Sequence, residues 1–197
     1  MNRIIHQIYL GDCPDYMRRF MATVIATNPD WEYRLWTEDN LPLLGVNYDD
    51  LLAVFKKPVH VSDYLRLLVV HRFGGMYLDC DVEGLQALDP LLTMDACAAF
   101  QDGTGQICPA IFGASAGHPW IHWQLLNAER FSRPDTPWNV DLMTQAPRAG
   151  LTIVPTDWFY PWLWTTPPTD RKPTPNTLCV HYWKGSWAPW FKRKFPT

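Results

Sequence analysis

Residues 58–83 constrain the chain most: an apolar run is broken by two glycines and then closes on two carboxylates that flank one cysteine. From Pro58 to Phe73 the side chains Val59, Val61, Leu65, Leu67, Leu68, Val69 and Val70 make the segment apolar nearly all round, which predicts a buried helix. Gly74-Gly75 stops it. Met76-Tyr77-Leu78 reads as a short strand running into Asp79-Cys80-Asp81, and strand alternation would send Asp79 and Asp81 towards one side, where they can share a cation. Carboxylate oxygens suit hard ions such as Mg²⁺ or Mn²⁺, which keep waters and take phosphate oxygens as remaining ligands, so the triplet is a candidate diphosphate site.

Asp63 and Arg66 are three positions apart and share a face of the predicted helix. The arginine fork can grip phosphate or hold a neighbouring carboxylate, and the aspartate can accept sugar hydroxyls. A structural ion pair in the core and a binding site are both open readings of this pair.

The ordered set Ser62-Asp63-Tyr64-Leu65-Arg66 and Gly74-Gly75-Met76-Tyr77-Leu78-Asp79-Cys80-Asp81 resembles the S-D-x-x-R and G-G-x-Y-x-D-x-D signature of glycosyltransferases with a DXD sugar-binding region. That grouping includes family 32 mannosyl- and galactosyltransferases and, more distantly, glucosylating toxins. The opening Ile4-Ile5-His6-Gln7-Ile8-Tyr9 resembles the family's first strand, and His181-Tyr182-Trp183-Lys184-Gly185-Ser186-Trp187 resembles its closing H-x-x-x-x-S-W element. The resemblance implies a GT-A-like α/β fold with a mixed, mostly parallel open sheet. It implies a hexose moved from a nucleotide-diphosphate sugar to an acceptor hydroxyl, with retained configuration, in surface polysaccharide or glycan synthesis. It implies Mn²⁺ or Mg²⁺ held by Asp81 and His181 with support from Asp79, Asp63 and Arg66 orienting the donor sugar, Tyr9 stacking on the base, and Ser186 and Trp187 lining the donor pocket. The acceptor would be a glycan, a lipid-linked sugar or a protein.

At 197 residues, 47% hydrophobic and 19% charged, the chain suits one domain over 1–197, with a donor-binding part over roughly 1–113 and an acceptor wall, lid and closing segment over roughly 114–197. A net charge of −3 gives no case for nucleic acid. Eleven tryptophans are unusual in a chain this size and fit either surfaces that stack on bases or sugars or a heavily aromatic core. Five cysteines, odd in number and without C-x-x-C, predict free thiols. The first residues lack a signal-peptide core and no run approaches the ~18 apolar residues of a membrane span, so the expected location is cytoplasmic.

In chain order, residues 3–10 predict a strand, 14–27 a helix with a partial stripe of Tyr16, Phe20, Val24 and Thr27, and 31–36 a second strand parallel to the first. Residues 38–57 predict short helical turns, one capped by Tyr48-Asp49-Asp50. Strands are expected at 97–101, 110–113, 151–154 and 177–181, and helices at 120–130 and 140–146. Asp102 is a candidate for hydroxyl contacts, whereas His118 and His122 lack a third ligand and read as structural. The tail 190–195 mixes aromatic and basic residues and could rest on an anionic membrane.

Two other classes fit parts of the pattern. Met76 to Val82 also matches a strand ending in the D-x-D-x-[TV] of haloacid-dehalogenase-type phosphatases, but the downstream lysine and acidic pair are missing. A non-catalytic nucleotide-sugar-binding module would carry the same polar residues.

Overall fold

The computed structural model describes residues 1–101, 103, 105–131, 138–163 and 165–183. Strand β1 (Ile4–Ile8), helix α1 (Asp15–Thr27) and strand β2 (Glu32–Trp36) form the opening unit, and the two strands pair in parallel with Ile4 opposite Glu32 and Ile8 opposite Trp36. Pro14 stands just ahead of the first turn of α1, where its missing N–H costs nothing. The fully buried stripe of α1 is Met17, Met21 and Val24, so of the expected stripe only Val24 is fully buried. Phe20 is partly buried against the Met17, Met21 and Cys80 cluster and stacks on Tyr182 at 4.9 Å.

A 3₁₀ segment, Glu38–Leu44, leads to helix α2 (Tyr48–Phe55). Its cap is Asn47, whose side chain accepts from the backbone N–H groups of Asp49 and Asp50. The acidic pair therefore lies in the first turn, where the helix dipole favours it, and does not supply the cap itself.

Helix α3 (Pro58–Phe73) buries residues on every side, including His60, Asp63 and Arg66, as its all-round apolar pattern demands. Gly74 ends it at φ 65 and Gly75 follows at φ 98. A Cβ on Gly75 would lie 2.3 Å from the carbonyl oxygen of Ile4. The glycine pair is what lets strand β3 (Gly75–Leu78) drop straight from the helix to the side of β1.

With β5 (Ala96–Phe100), β6 (Ile107–Ala114) and β7 (Leu151–Ile153), the sheet order is β2-β1-β3-β6-β5-β7. Contacts β1–β2, β1–β3 and β5–β7 are parallel, and β6 runs antiparallel to both its neighbours. This is the mixed, mostly parallel open sheet that was expected. Helices α2, α3, α4 (Pro119–Phe131) and α5 (Trp138–Gln145) cover one face, with Val61, Leu65, Tyr77, Phe112, Trp120 and Leu142 in that core layer. Val24 of α1, Met76, Leu78, Leu88, Ile111 and Phe159 fill the other face. Strand β3 shows the alternation: Tyr77 points one way, Met76 and Leu78 the other.

A second, unforeseen sheet is a two-stranded antiparallel ribbon of β4 (Val82–Gly84) and β8 (Cys179–His181), which sets Val82 opposite His181. The five cysteines are free thiols. Among the described residues no helix is long and apolar enough to cross a membrane.

Candidate active site

The site gathers beyond the carboxyl ends of β1 and β3, where ligands bind in open α/β sheets. The two acids of the triplet do not converge by strand alternation, because β3 ends at Leu78 and residues 79–82 form a turn closed by the Val82 N–H donating to the Asp79 carbonyl at 3.1 Å. The turn is anchored on three sides. The Asp79 N–H donates to Ala110 O at 2.8 Å, Gln7 Nε2 donates to Asp79 O at 3.0 Å, and the Cys80 thiol points back to Ile8 O at 3.2 Å. Gln7 is itself held by the Tyr33 hydroxyl at 2.8 Å. With Cys80 buried, both carboxylates are left to meet His181.

His181 arrives on the ribbon. Its Nε2 lies 3.2 Å from Asp81 Oδ1 and 3.8 Å from Asp79 Oδ2, and one ligand atom from each of the three residues falls within 4.8 Å of the others. Burial works against a charge on this imidazole, but the adjacent Asp81, through its charge and its hydrogen bond, outweighs burial and raises the pKa well above the usual histidine value.

Behind this trio stands a buried ion-pair chain. Asp79 Oδ1 accepts from the Tyr77 hydroxyl at 2.7 Å and faces Arg66 Nη1 at 3.3 Å. Arg66 Nη2 pairs with Asp63 Oδ1 at 2.8 Å, its Nη1 also donates to Pro109 O at 3.0 Å, and its guanidinium lies 4.8 Å over the Tyr77 ring. Asn139, from the start of α5, donates to Asp63 Oδ1 at 2.6 Å. Burial pushes the Asp63 carboxyl up to about 6, with Arg66 opposing and the Asp79 charge adding to the rise. Burial likewise opposes the charge of Arg66, but Asp79, Tyr77 and Asp63 together keep its pKa above normal.

The charges give the fit test for a metal. Three carboxylates face one permanent cation, Arg66, so once His181 gives up its proton to act as a ligand the cluster carries an excess of two negative charges that a divalent ion would match. Two carboxylate oxygens and an imidazole nitrogen are an apt donor set for Mn²⁺ and also suit Mg²⁺ through the oxygens.

Tyr9 lies at the end of β1, half-buried against Met17, Met21 and Cys80, with its N–H donating to Trp36 O at 2.9 Å. Ser186, Trp187, Asp102 and the tail 190–195 lie outside the described residues. His118 takes a structural place, with Nε2 3.4 Å from Asp95 and Nδ1 accepting from the Trp120 N–H, while His122 pairs with His71 at 3.2 Å. The supporting residues Gln7, Tyr33 and Asn139 were not foreseen. Gln7 carried a signal, a polar side chain inside an apolar strand; Asn139 carried none, since it lies 76 residues from its partner.

Residues 14–98 match the family model described as glycosyltransferase sugar-binding region containing DXD motif. The chain carries a DXD-type glycosyltransferase sugar-binding region. This region spans α1 to β5 and so includes Asp63, Arg66, Asp79 and Asp81, whereas β1 and β8, which bring Gln7 and His181, lie outside it.

Among named relatives, inositol phosphoceramide mannosyltransferase 3 of Schizosaccharomyces pombe is 30% identical over 66% of this chain and 38% of its own length. Mannosyl phosphorylinositol ceramide synthase SUR1 of Saccharomyces cerevisiae is 26% identical over 84% of this chain and 44% of its own. The chain thus spans about two fifths of the curated relatives it matches. Among solved structures, the PaToxG glycosyltransferase superposes with a TM-score of 0.59 at 18% identity, covering 75% of this chain and 69% of that one. The galactosyltransferase LgtC, solved with donor and acceptor sugar analogues, gives 0.54 at 17% identity over 91% of this chain and 86% of that one. These likenesses establish the GT-A-type fold of the sugar-binding region and its surroundings.

One expectation is overturned. The cytoplasmic location conflicts with relatives named for inositol phosphoceramide, a membrane lipid, as their substrate. It rested on the lack of a leader or span in a chain far shorter than those relatives, and that lack says nothing about where the chemistry occurs.

Proposed function

We propose that the chain is the catalytic region of a metal-dependent glycosyltransferase that moves a hexose from a nucleotide-diphosphate sugar to a hydroxyl of a lipid-linked acceptor. The observation that carries this reading is the convergence of Asp79, Asp81 and His181 within 4.8 Å in front of the Arg66 ion-pair chain. Mannose as the sugar and a glycolipid as the acceptor, in place of a polysaccharide, are supported by the names of the relatives.

Asp81, His181 and Asp79 would hold Mn²⁺ or Mg²⁺, which supplies a Lewis acid for the negative charge of the departing diphosphate. The protein residues do the rest. Arg66 holds Asp79 aimed at the site, while the Tyr77 hydroxyl occupies the second position on the same oxygen and restrains the carboxylate from rotating. Asp63 is fixed on one oxygen by Arg66 and Asn139, which leaves its other oxygen to accept from hydroxyls of the donor sugar. Tyr9, beside Cys80, offers a ring for the base. The motifs imply no protein nucleophile, so configuration would be retained by a front-face route in which the leaving phosphate takes the acceptor proton.

The experiment is Asp81→Ala assayed with nucleotide sugars, Mn²⁺ and lipid acceptors. Transfer should fall about a thousandfold, equivalent to about 4 kcal/mol of barrier. Transfer at the wild-type rate contradicts a metal-dependent mechanism, and nucleotide-sugar binding without turnover by the wild type points to a binding module.

A further inference from the structure

Among the described non-glycine residues, two have a left-handed backbone, Lys56 at φ 66 and Trp183 at φ 48. Lys56 ends helix α2, a common place for such a residue. Trp183 ends no helix. A bulky side chain at positive φ is strained, and such strain persists only where surrounding contacts enforce it.

The contacts explain what the strain accomplishes. Tyr182 is pinned away from the site: its N–H donates to Asp81 O at 3.2 Å, its hydroxyl to Glu83 Oε2 at 2.6 Å, and its ring stacks on Phe20. The left-handed turn at the next residue swings the Trp183 ring back over His181, with centroids 4.8 Å apart. Tyr160 stands beside the Trp183 ring, 5.9 Å from it, and meets His181 in an edge contact at 6.2 Å, so the three rings form one mutually packed cluster.

His181 needs this packing. An imidazole that binds metal through one nitrogen is normally oriented by a hydrogen bond from the other. Here Nδ1 is buried without a well-formed hydrogen bond among the described residues, and the one polar side chain besides the acids that acts on the ring is the weak thiol of Cys108. A thiol is a weak partner, so packing does most of the work of setting the ring plane.

We propose that Trp183 is a positioning residue that holds His181 in its metal-binding orientation, with Tyr160 buttressing both rings, and that its left-handed backbone is retained for this purpose. The proposal rests on the metal-dependent reading of the site. The test measures Mn²⁺ binding by calorimetry and by the electron paramagnetic resonance of free Mn²⁺, for the whole chain and its variants, with Asp81→Ala as the control. Trp183→Gly removes the ring while suiting the left-handed backbone. It should melt no lower than wild type yet bind Mn²⁺ about tenfold more weakly, and Trp183→Phe, which keeps a ring, should recover most of the affinity. Trp183→Leu, apolar but ringless, serves if the glycine variant loosens the fold, and it should bind as weakly as the glycine variant.

In the metal-free protein, the His181 ring resonances should also lose their single set of shifts in the ringless variants and regain it with phenylalanine. Unchanged Mn²⁺ affinity in Trp183→Gly or Trp183→Leu, with loss in Asp81→Ala, overturns the role of Trp183 and leaves the metal site standing. Absence of Mn²⁺ binding by the wild type overturns the functional reading and this proposal together.

Discussion

The pocket around His6 and the pocket around His181 bury the same side chain, at 0% and 7% exposure, and leave it in opposite charge states. His6 on β1 donates from Nε2 to the Gly74 carbonyl at 3.0 Å and accepts at Nδ1 from the Trp36 indole N–H at 3.1 Å. A carbonyl can only accept and an indole N–H can only donate, so the neutral ring satisfies both and a second proton would meet a donor. Burial lowers the His6 pKa to about 4. Around His181 burial acts in the same direction, but Asp81 against Nε2, with a smaller contribution from Cys108, reverses the outcome. Burial alone does not make a site. An excess of buried like charge does, because it leaves the protein short of a cation.

The sharpest way to break this contrast is to remove the permanent cation. Arg66→Met strands Asp63 and Asp79 in the interior and should cost about 3–5 kcal/mol in urea unfolding. Arg66→Lys should recover only part, since an ammonium cannot span two carboxylates and the Pro109 carbonyl as the planar fork does. Near-normal stability of Arg66→Met would mean that the acids are already relieved by solvent, and the contrast with His6 would collapse.

His6 gives the next largest effect. Its folded pKa of about 4 lies below the unfolded value of 6.5, so its contribution to stability is complete above pH 6.5 and is lost as pH falls through 4. The loss should total about 3 kcal/mol at 1.36 kcal/mol per unit. Unfolding free energies of wild type and His6→Phe between pH 7 and 4 test it: the difference between the two curves should shrink or change sign on acidification, and parallel curves would refute a buried neutral imidazole.

The smallest effect calibrates the comparison at the surface. Arg3 and Asp89 form an ion pair at 3.0 Å with half-exposed side chains, and Arg3→Ala should cost less than about 1 kcal/mol. A larger loss would show that exposure is a poor guide to the worth of charges in this chain.

The individual elements were readable because local chemistry is strong where they form. The all-round apolar pattern of 58–73 became α3, Gly74-Gly75 became the sharp descent into β3, and the unit of 3–36 became a parallel pair. The route by which the acids meet was read wrongly. Alternation assumes a strand through residue 81, but the 79–82 turn is stabilised by Gln7, Ala110 and Ile8, partners that no window around the triplet contains. The β4–β8 ribbon was likewise hidden, because three-residue strands gain their hydrogen bonds only from each other across nearly a hundred positions.

The sequence by itself determined the order of the helices and main strands, the kind of donor atoms in the site and the excess of acid over base, because these follow from residue type and short-range spacing. Tertiary structure alone decided that Asn139 and Gln7 support the acids, that one buried histidine is neutral and the other charged, and that Tyr160 packs against His181. Those outcomes depend on distances between residues far apart in the chain, and Coulomb and hydrogen-bond energies are fixed by distance in space, to which sequence separation gives no guide.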